Sequence, residues 1–144
     1  KATNSGSHAE GDGTTASGDS SHAEGTYTKA EGVNSHAEGA STTASGGQSH
    51  AEGGGTTASG PQSHAEGYNT KASSANQHVQ GKFNKEDTTG KYAFIIGNGT
   101  SDSSRSNAFA IGWDGLIYIN NATTGIDLVD LVTKVQALID TSGT

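Results

Sequence analysis

The chain has 144 residues, a net charge of −7 and neither cysteine nor methionine. Leu, Ile, Val and Phe fill only 19 positions, about 13% of the chain, and Val33 is the sole member of that set between Lys1 and Ala75. A conventional enzyme core in the first half is excluded by that deficit, and thiolate or disulfide chemistry by the missing cysteines. No apolar run approaches the ~20 residues of a spanning helix, and the acidic balance excludes an electrostatic grip on nucleic acid or an anionic membrane.

The first element is a repeat. Ser-His-Ala-Glu-Gly begins at Ser7, Ser21, Ser35, Ser49 and Ser63, a period of 14, and Gln77-His78-Val79-Gln80-Gly81 falls on the next beat. A second half-repeat, Thr14-Thr15-Ala16-Ser17-Gly18, has cognates starting at Thr28, Thr42, Thr56 and Thr70. Superposed, the halves give a period of seven. Its beat is Ala9, Ala16, Ala23, Ala30, Ala37, Ala44, Ala51, Ala58, Ala65 and Ala72, then Val79, with Gly two residues after each except at Ser74. A coiled coil shares that period, but it needs large apolar a and d residues, and each Gly costs roughly 1 kcal/mol against Ala in a helix. Short extended runs with Gly-containing turns instead predict a β-solenoid, two strands per 14-residue coil. Gly suits those turns because it accepts positive φ.

Strand alternation assigns the faces. With the alanines and Val79 forming the roll interior, one outer face collects His8, Glu10, His22, Glu24, His36, Glu38, His50, Glu52, His64, Glu66 and His78. The other carries Thr and Ser, interrupted by Lys29, Glu31 and Lys71. A roll closed by methyl groups buries little apolar area at about 25 cal/mol per Å², set against the entropy of ordering its backbone. Further copies of the chain are expected to cover a face.

The 14-residue period with Ala-x-Gly on each half resembles the head repeats of trimeric autotransporter adhesins, over residues 5–81 and more loosely 92–112. That family's Asn-Ser-Val-Ala-Ile-Gly is similar to Asn107-Ala108-Phe109-Ala110-Ile111-Gly112. The resemblance implies a mainly β fold, three left-handed parallel β-rolls packed around a threefold axis as an intertwined homotrimer. It also places the His/Glu strand at that axis and the Thr/Ser strand in solvent. Buried polar groups must be paired, so His of one chain is expected to donate to Glu of its neighbour.

Residues 82–90 are charged and irregular and read as a connector. Tyr92-Ala93-Phe94-Ile95-Ile96-Gly97 and 107–111 read as strands, and Asp114-Gly115 as a hairpin turn into Leu116-Ile117-Tyr118-Ile119. Phe94, Ile96, Phe109, Ile111 and Trp113 are expected to supply the apolar core that the first half lacks. The stretch Ile96 to Asp102, Ser106 to Phe109 and Trp113-Asp114-Gly115 resembles a module near the C-terminal end of phage and prophage tail-fibre proteins. Leu128, Leu131, Val135 and Leu138 then follow a 3-4-3 spacing and predict a short trimerising coiled-coil helix, capped by Asp127 or a preceding Thr. The organisation expected is a β-roll head over 1–81, a β-rich junction with a hairpin over 82–121, and the helix and tail over 122–144. Lys1 already lies inside a repeat and no initiator Met is present, the pattern of a piece of a longer chain.

Six equivalent histidines suit architecture better than a catalytic centre. Structural His–Glu bonding is preferred over axial metal or anion binding, and no catalytic, cofactor or metal site is predicted. Regular threonines (Thr15, Thr43, Thr57) invite an ice-binding reading, but Lys29 and Lys71 break the array. Asn98-Gly99-Thr100 and Asn121-Ala122-Thr123 match the glycosylation triplet, for which chance is the better explanation. The resemblances imply a non-enzymatic, receptor-binding segment of a phage or prophage tail fibre that attaches to the host surface. Its place would be the virion or the cell exterior, and its partners two further copies and a carbohydrate or protein receptor, without nucleic acid or membrane insertion. A bacterial trimeric surface adhesin head and a purely structural fibre spacer are the alternatives.

Overall fold

A computed structural model describes residues 1–122 and 124–142. Thr123 of the triplet Asn121-Ala122-Thr123, and the last two residues of the 122–144 segment, lie outside the described residues. The chain is mainly β, a parallel solenoid of about six turns with coils of about 14 residues and one short C-terminal helix.

Each coil contributes one strand to each of two sheets. The strands are β1 (His8–Asp12), β2 (Thr15–Ala16), β3 (His22–Thr26), β4 (Lys29–Ala30), β5 (His36–Ala40), β6 (Thr43–Ala44), β7 (His50–Ala51), β8 (Thr57–Ala58), β9 (His64–Ala65), β10 (Lys71–Ala72) and β11 (His78–Lys82). Even-numbered strands form one parallel sheet, and odd-numbered strands run through the other. Pairing is in register, so each residue meets its equivalent in the next repeat: His8 pairs with His22, Ala9 with Ala23 and Glu10 with Glu24. On the opposite sheet Thr15 pairs with Lys29 and Ala16 with Ala30. A slip by one residue would turn every Ala outward and every His or Thr inward, which fixes the register.

The interior is a column of small side chains. Ala16 through Ala72 on the seven-residue beat, and Val79, are fully buried, while Ala9 in the first coil is half-buried. The corners beside them are closed by Ser21, Ser35, Ser49 and Ser63 and by Thr14, Thr28, Thr42, Thr56 and Thr70, all buried. Several of these hydroxyls donate to backbone carbonyls, as Ser49 does to Gly46 at 2.7 Å and Thr42 to Glu38 at 3.1 Å.

The turns differ in part from the sequence expectation. From Gly6 to Phe83 every seventh residue takes a positive φ of 42–66°, and most of these corners are Ser, Asn, Gln, Tyr or Phe rather than Gly. Alternate periodic glycines, Gly11, Gly25, Gly39, Gly53, Gly67 and Gly81, do take the expected positive φ, at 94–107°, and the periodic glycines also answer a second need, the approach of successive coils. Gly46 has no positive φ, yet a Cβ there would run into the carbonyl of Gly60 in the next coil. Gly39 combines both constraints, with φ at 101° and the Gly53 carbonyl in the way.

The solenoid ends by reversing direction. β12 (Tyr92–Asn98) adds parallel to β11, with Val79 opposite Ile95 and Gly81 opposite Gly97. β13 (Asn107–Gly112) and β14 (Ile117–Ile119) then pair antiparallel. The other sheet stops at β10, where side chains replace a strand: Asn84 accepts from the Lys71 amide at 2.7 Å and donates to the Lys71 carbonyl at 3.0 Å. Asn107 repeats the device on Lys85. The register also corrects the expected core. Ile95, Ala110 and Tyr118 continue the alanine column and are buried, whereas Phe94, Ile96, Phe109 and Ile111 stand on the outer face and Trp113 lies exposed in the turn.

Helix α1 (Leu128–Ser142) is capped by Asp127, whose carboxylate accepts from the amides of Val129 and Asp130. All its described side chains are exposed.

Gly39→Ala is expected to lower stability by at least about 2 kcal/mol, because a coil must move to admit the methyl group. Gly47→Ala, where the nearest atom lies 3.9 Å away and φ is not positive, is expected to be neutral. Urea unfolding of both variants checks the contrast.

Candidate functional site, a ladder of histidine and glutamate

In-register pairing stacks identical side chains at the strand spacing of about 4.8 Å, and on the outer face of the odd-numbered sheet this produces two parallel columns. The imidazoles of His8, His22, His36, His50, His64 and His78 form one, with successive ring centroids 4.6–4.9 Å apart. Most rings are near parallel, and the column ends where His78 meets the Phe94 ring at 5.2 Å. Glu10, Glu24, Glu38, Glu52 and Glu66 form the second column, which borders an open groove of about 650 Å³ floored by the neighbouring glycines.

Within one chain, each of the later histidines leans on the carboxylate of the preceding coil. His36 Nε2 lies 4.0 Å from Glu24, His50 3.8 Å from Glu38 and His64 3.4 Å from Glu52. Only His78, at 3.4 Å from Glu66, has hydrogen-bonding geometry. The Nε2 atoms of His22, His36, His50 and His64 are shielded from water and, among the described residues, have no hydrogen-bond partner.

Burial pushes the His50 imidazole below the ordinary 6.5, and the neighbouring rings of His64 and His36 push the same way. Glu52 and Glu38 oppose the shift and are outweighed. His50 therefore favours the neutral imidazole, because burial and crowding by neighbouring rings outweigh ion pairing there.

The opposite sheet presents Thr15, Lys29, Thr43, Thr57 and Lys71, with Lys71 3.6 Å from Glu86. It gathers no comparable array. At the junction, burial raises the Asp87 carboxyl, but bonds from Tyr92, Thr89 and Lys91 outweigh it and hold the group below the usual carboxylate range.

The sequence reading missed how the ladder ends. The His column continues through Phe94, Ile111 and Ile117, and the Glu column through Gln80, Ile96, Phe109 and Ile119. One sheet face thus changes from titratable to apolar, and none of the six apolar side chains among these is buried by its own chain. The signal was present in Phe94-Ile95-Ile96-Gly97, which repeats the pattern of His78-Val79-Gln80-Gly81 with a two-residue longer spacing. The helix residues Leu128, Leu131, Val135 and Leu138 lie on α1, outside this sheet.

Comparison with protein-family models, curated proteins and solved structures found no match. Among the described residues, no helix is long and apolar enough to cross a membrane.

Stability is expected to fall with acid in two steps. The folded chain resists protonating His50 while the unfolded chain takes that proton near pH 6.5, so stability is complete above about pH 7 and declines as pH falls toward 5. Asp87, depressed in the folded state, adds a further loss below about pH 4. Urea midpoints measured from pH 8 to 3 check both steps, and His50→Gln should reduce the first alone.

Proposed function

We propose that the chain is part of a fibrous homotrimer, three left-handed rolls about a threefold axis with the His/Glu sheet turned inward, and that it mediates attachment to a host cell surface within a phage or prophage tail fibre. The observation that carries the assembly is apolar surface that one chain leaves uncovered. Six large side chains on β12–β14 continue the His/Glu face, with Ile119 47% exposed, and α1 leaves Leu131 46% and Leu138 69% exposed. Contiguous apolar surface of this kind marks an interaction site. A helix of 15 residues is marginal alone and gains its stability from packing an apolar stripe. Because the apolar patch and the ladder share one face, the sheet that meets other copies at the junction also carries the histidines along the axis.

Attachment rests on the resemblance of 96–115 to tail-fibre modules and on the rings left at the periphery. Tyr27, Tyr68 and Trp113 are more than half exposed, and such amphipathic rings suit a carbohydrate or protein receptor. Repetition favours a second reading, a spacer, since five coils present nearly the same outer chemistry. A bacterial surface adhesin head would use the same trimer.

Sedimentation should give three times the chain mass of 14.4 kDa. Leu131→Asp with Val135→Asp should shift the population toward monomer, and His36→Ala with Glu38→Ala should weaken assembly while Thr43→Ala with Ser45→Ala does not. A folded monomer of the unaltered chain overturns the trimer. Deleting whole 14-residue units separates the roles: cell binding lost means an adhesive head, cell binding kept means a spacer.

A further inference from the structure

We infer that the ladder is also a binding array for divalent transition-metal ions of the zinc class, with Nε2 of His50, Nε2 of His64 and the Glu52 carboxylate holding an ion within a single chain. This inference needs one chain only and does not rest on the trimer.

Three observations carry it. The ligand atoms of His50, Glu52 and His64 all lie within 4.8 Å of one another, and two further triads, Glu10-His22-Glu24 and Glu24-His36-Glu38, each gather one imidazole and two carboxylates within the same distance. Ligands bound at about 2.0–2.1 Å in a tetrahedron stand about 3.3 Å apart. The 3.4 Å from His64 to Glu52 is close to such an edge, while the stacked rings of His50 and His64, with centroids 4.7 Å apart, must rotate out of parallel to aim both nitrogens at one ion. Other separations along the ladder are 3.8–4.0 Å. Those longer separations are also too wide for hydrogen bonds.

The second observation is the orphaned nitrogens. His50 Nε2 and His64 Nε2 are shielded from water without a hydrogen-bond partner among the described residues. A buried polar atom left so calls for a partner, and a metal ion supplies one to several imidazoles at once.

The third is charge. In-register pairing places Glu10 against Glu24 and Glu24 against Glu38, and Glu52 and Glu66 continue the column. No lysine of the repeats stands beside this column, since Lys29 and Lys71 sit on the other sheet. A divalent cation relieves that repulsion, and the groove beside the glutamates offers it a path. Imidazole with carboxylate selects zinc, nickel or copper over calcium or magnesium, which prefer all-oxygen shells.

The test is equilibrium dialysis of the full chain against Zn²⁺ at pH 7.5, followed by elemental analysis. The expected result is at least about one ion retained per chain, a raised unfolding temperature, and release on acidification as protons compete for the ligands. Co²⁺ should give the intense visible bands of tetrahedral coordination. His50→Gln with His64→Gln should lower the stoichiometry, and Glu52→Gln should weaken retention about tenfold or more, with circular dichroism showing that the β-structure persists. If the double variant does not fold, the Co²⁺ spectrum of the unaltered chain decides. No ion retained, equal retention by the folded double variant, a pale octahedral Co²⁺ spectrum, or displacement of Zn²⁺ by equimolar Ca²⁺ would each overturn the inference.

Discussion

Each coil of this protein is held by the coils directly before and after it, through parallel pairing that aligns every residue with its own repeat. The constraint is geometric before it is energetic: two residues after the interior alanines, at every such position but Ser74, a Cβ would collide with the backbone of the next coil. Ala inside and Gly at the approach are therefore two halves of one requirement. Methyl groups set the thickness of the roll, and glycine sets how closely the coils stack. Little apolar area is gained, so regular backbone pairing and buried Ser and Thr hydroxyls carry much of the order.

The same stacking generates the candidate site. A histidine repeated every 14 residues becomes a continuous row of rings, and a glutamate two residues later becomes a row of carboxylates. Nothing in either residue alone predicts its behaviour there. His50 resists protonation because burial removes water and the neighbouring rings crowd it, which together outweigh the carboxylates of Glu52 and Glu38. Repetition turns ordinary side chains into a collective one-dimensional array.

A stack of this kind has open ends, and an open sheet edge is a template for uncontrolled pairing. At the C-terminal end the two sheets solve this differently. Asn84 imitates a strand for the even-numbered sheet, while the odd-numbered sheet turns antiparallel and exchanges its titratable face for Phe94, Ile96, Phe109 and Ile111. That exchange, followed by a helix with no packed face, is where the single chain is least self-sufficient.

Much of this was legible in the sequence. The period, the two strands per coil, the inward alanines and the shared face of His and Glu follow from alternation, because a strand's side chains have a fixed period of two. The presence of a short final helix, with Asp127 among its candidate caps, follows from local chemistry in the same way. Three features did not. The positive φ corners fall on Ser20, Asn34 and Gln48 as readily as on Gly, since in-register stacking overrides their modest local preference. Phe94, Ile96, Phe109 and Ile111 look like core by composition, yet the pairing of Val79 with Ile95 turns them outward. The orphaned imidazole nitrogens exist only once the coils are stacked. The sequence by itself determined the repeat unit and its faces, because both are local and periodic. Register between distant segments decided which large side chains stay uncovered and how closely the titratable groups crowd, because these depend on pairing partners that no local pattern names.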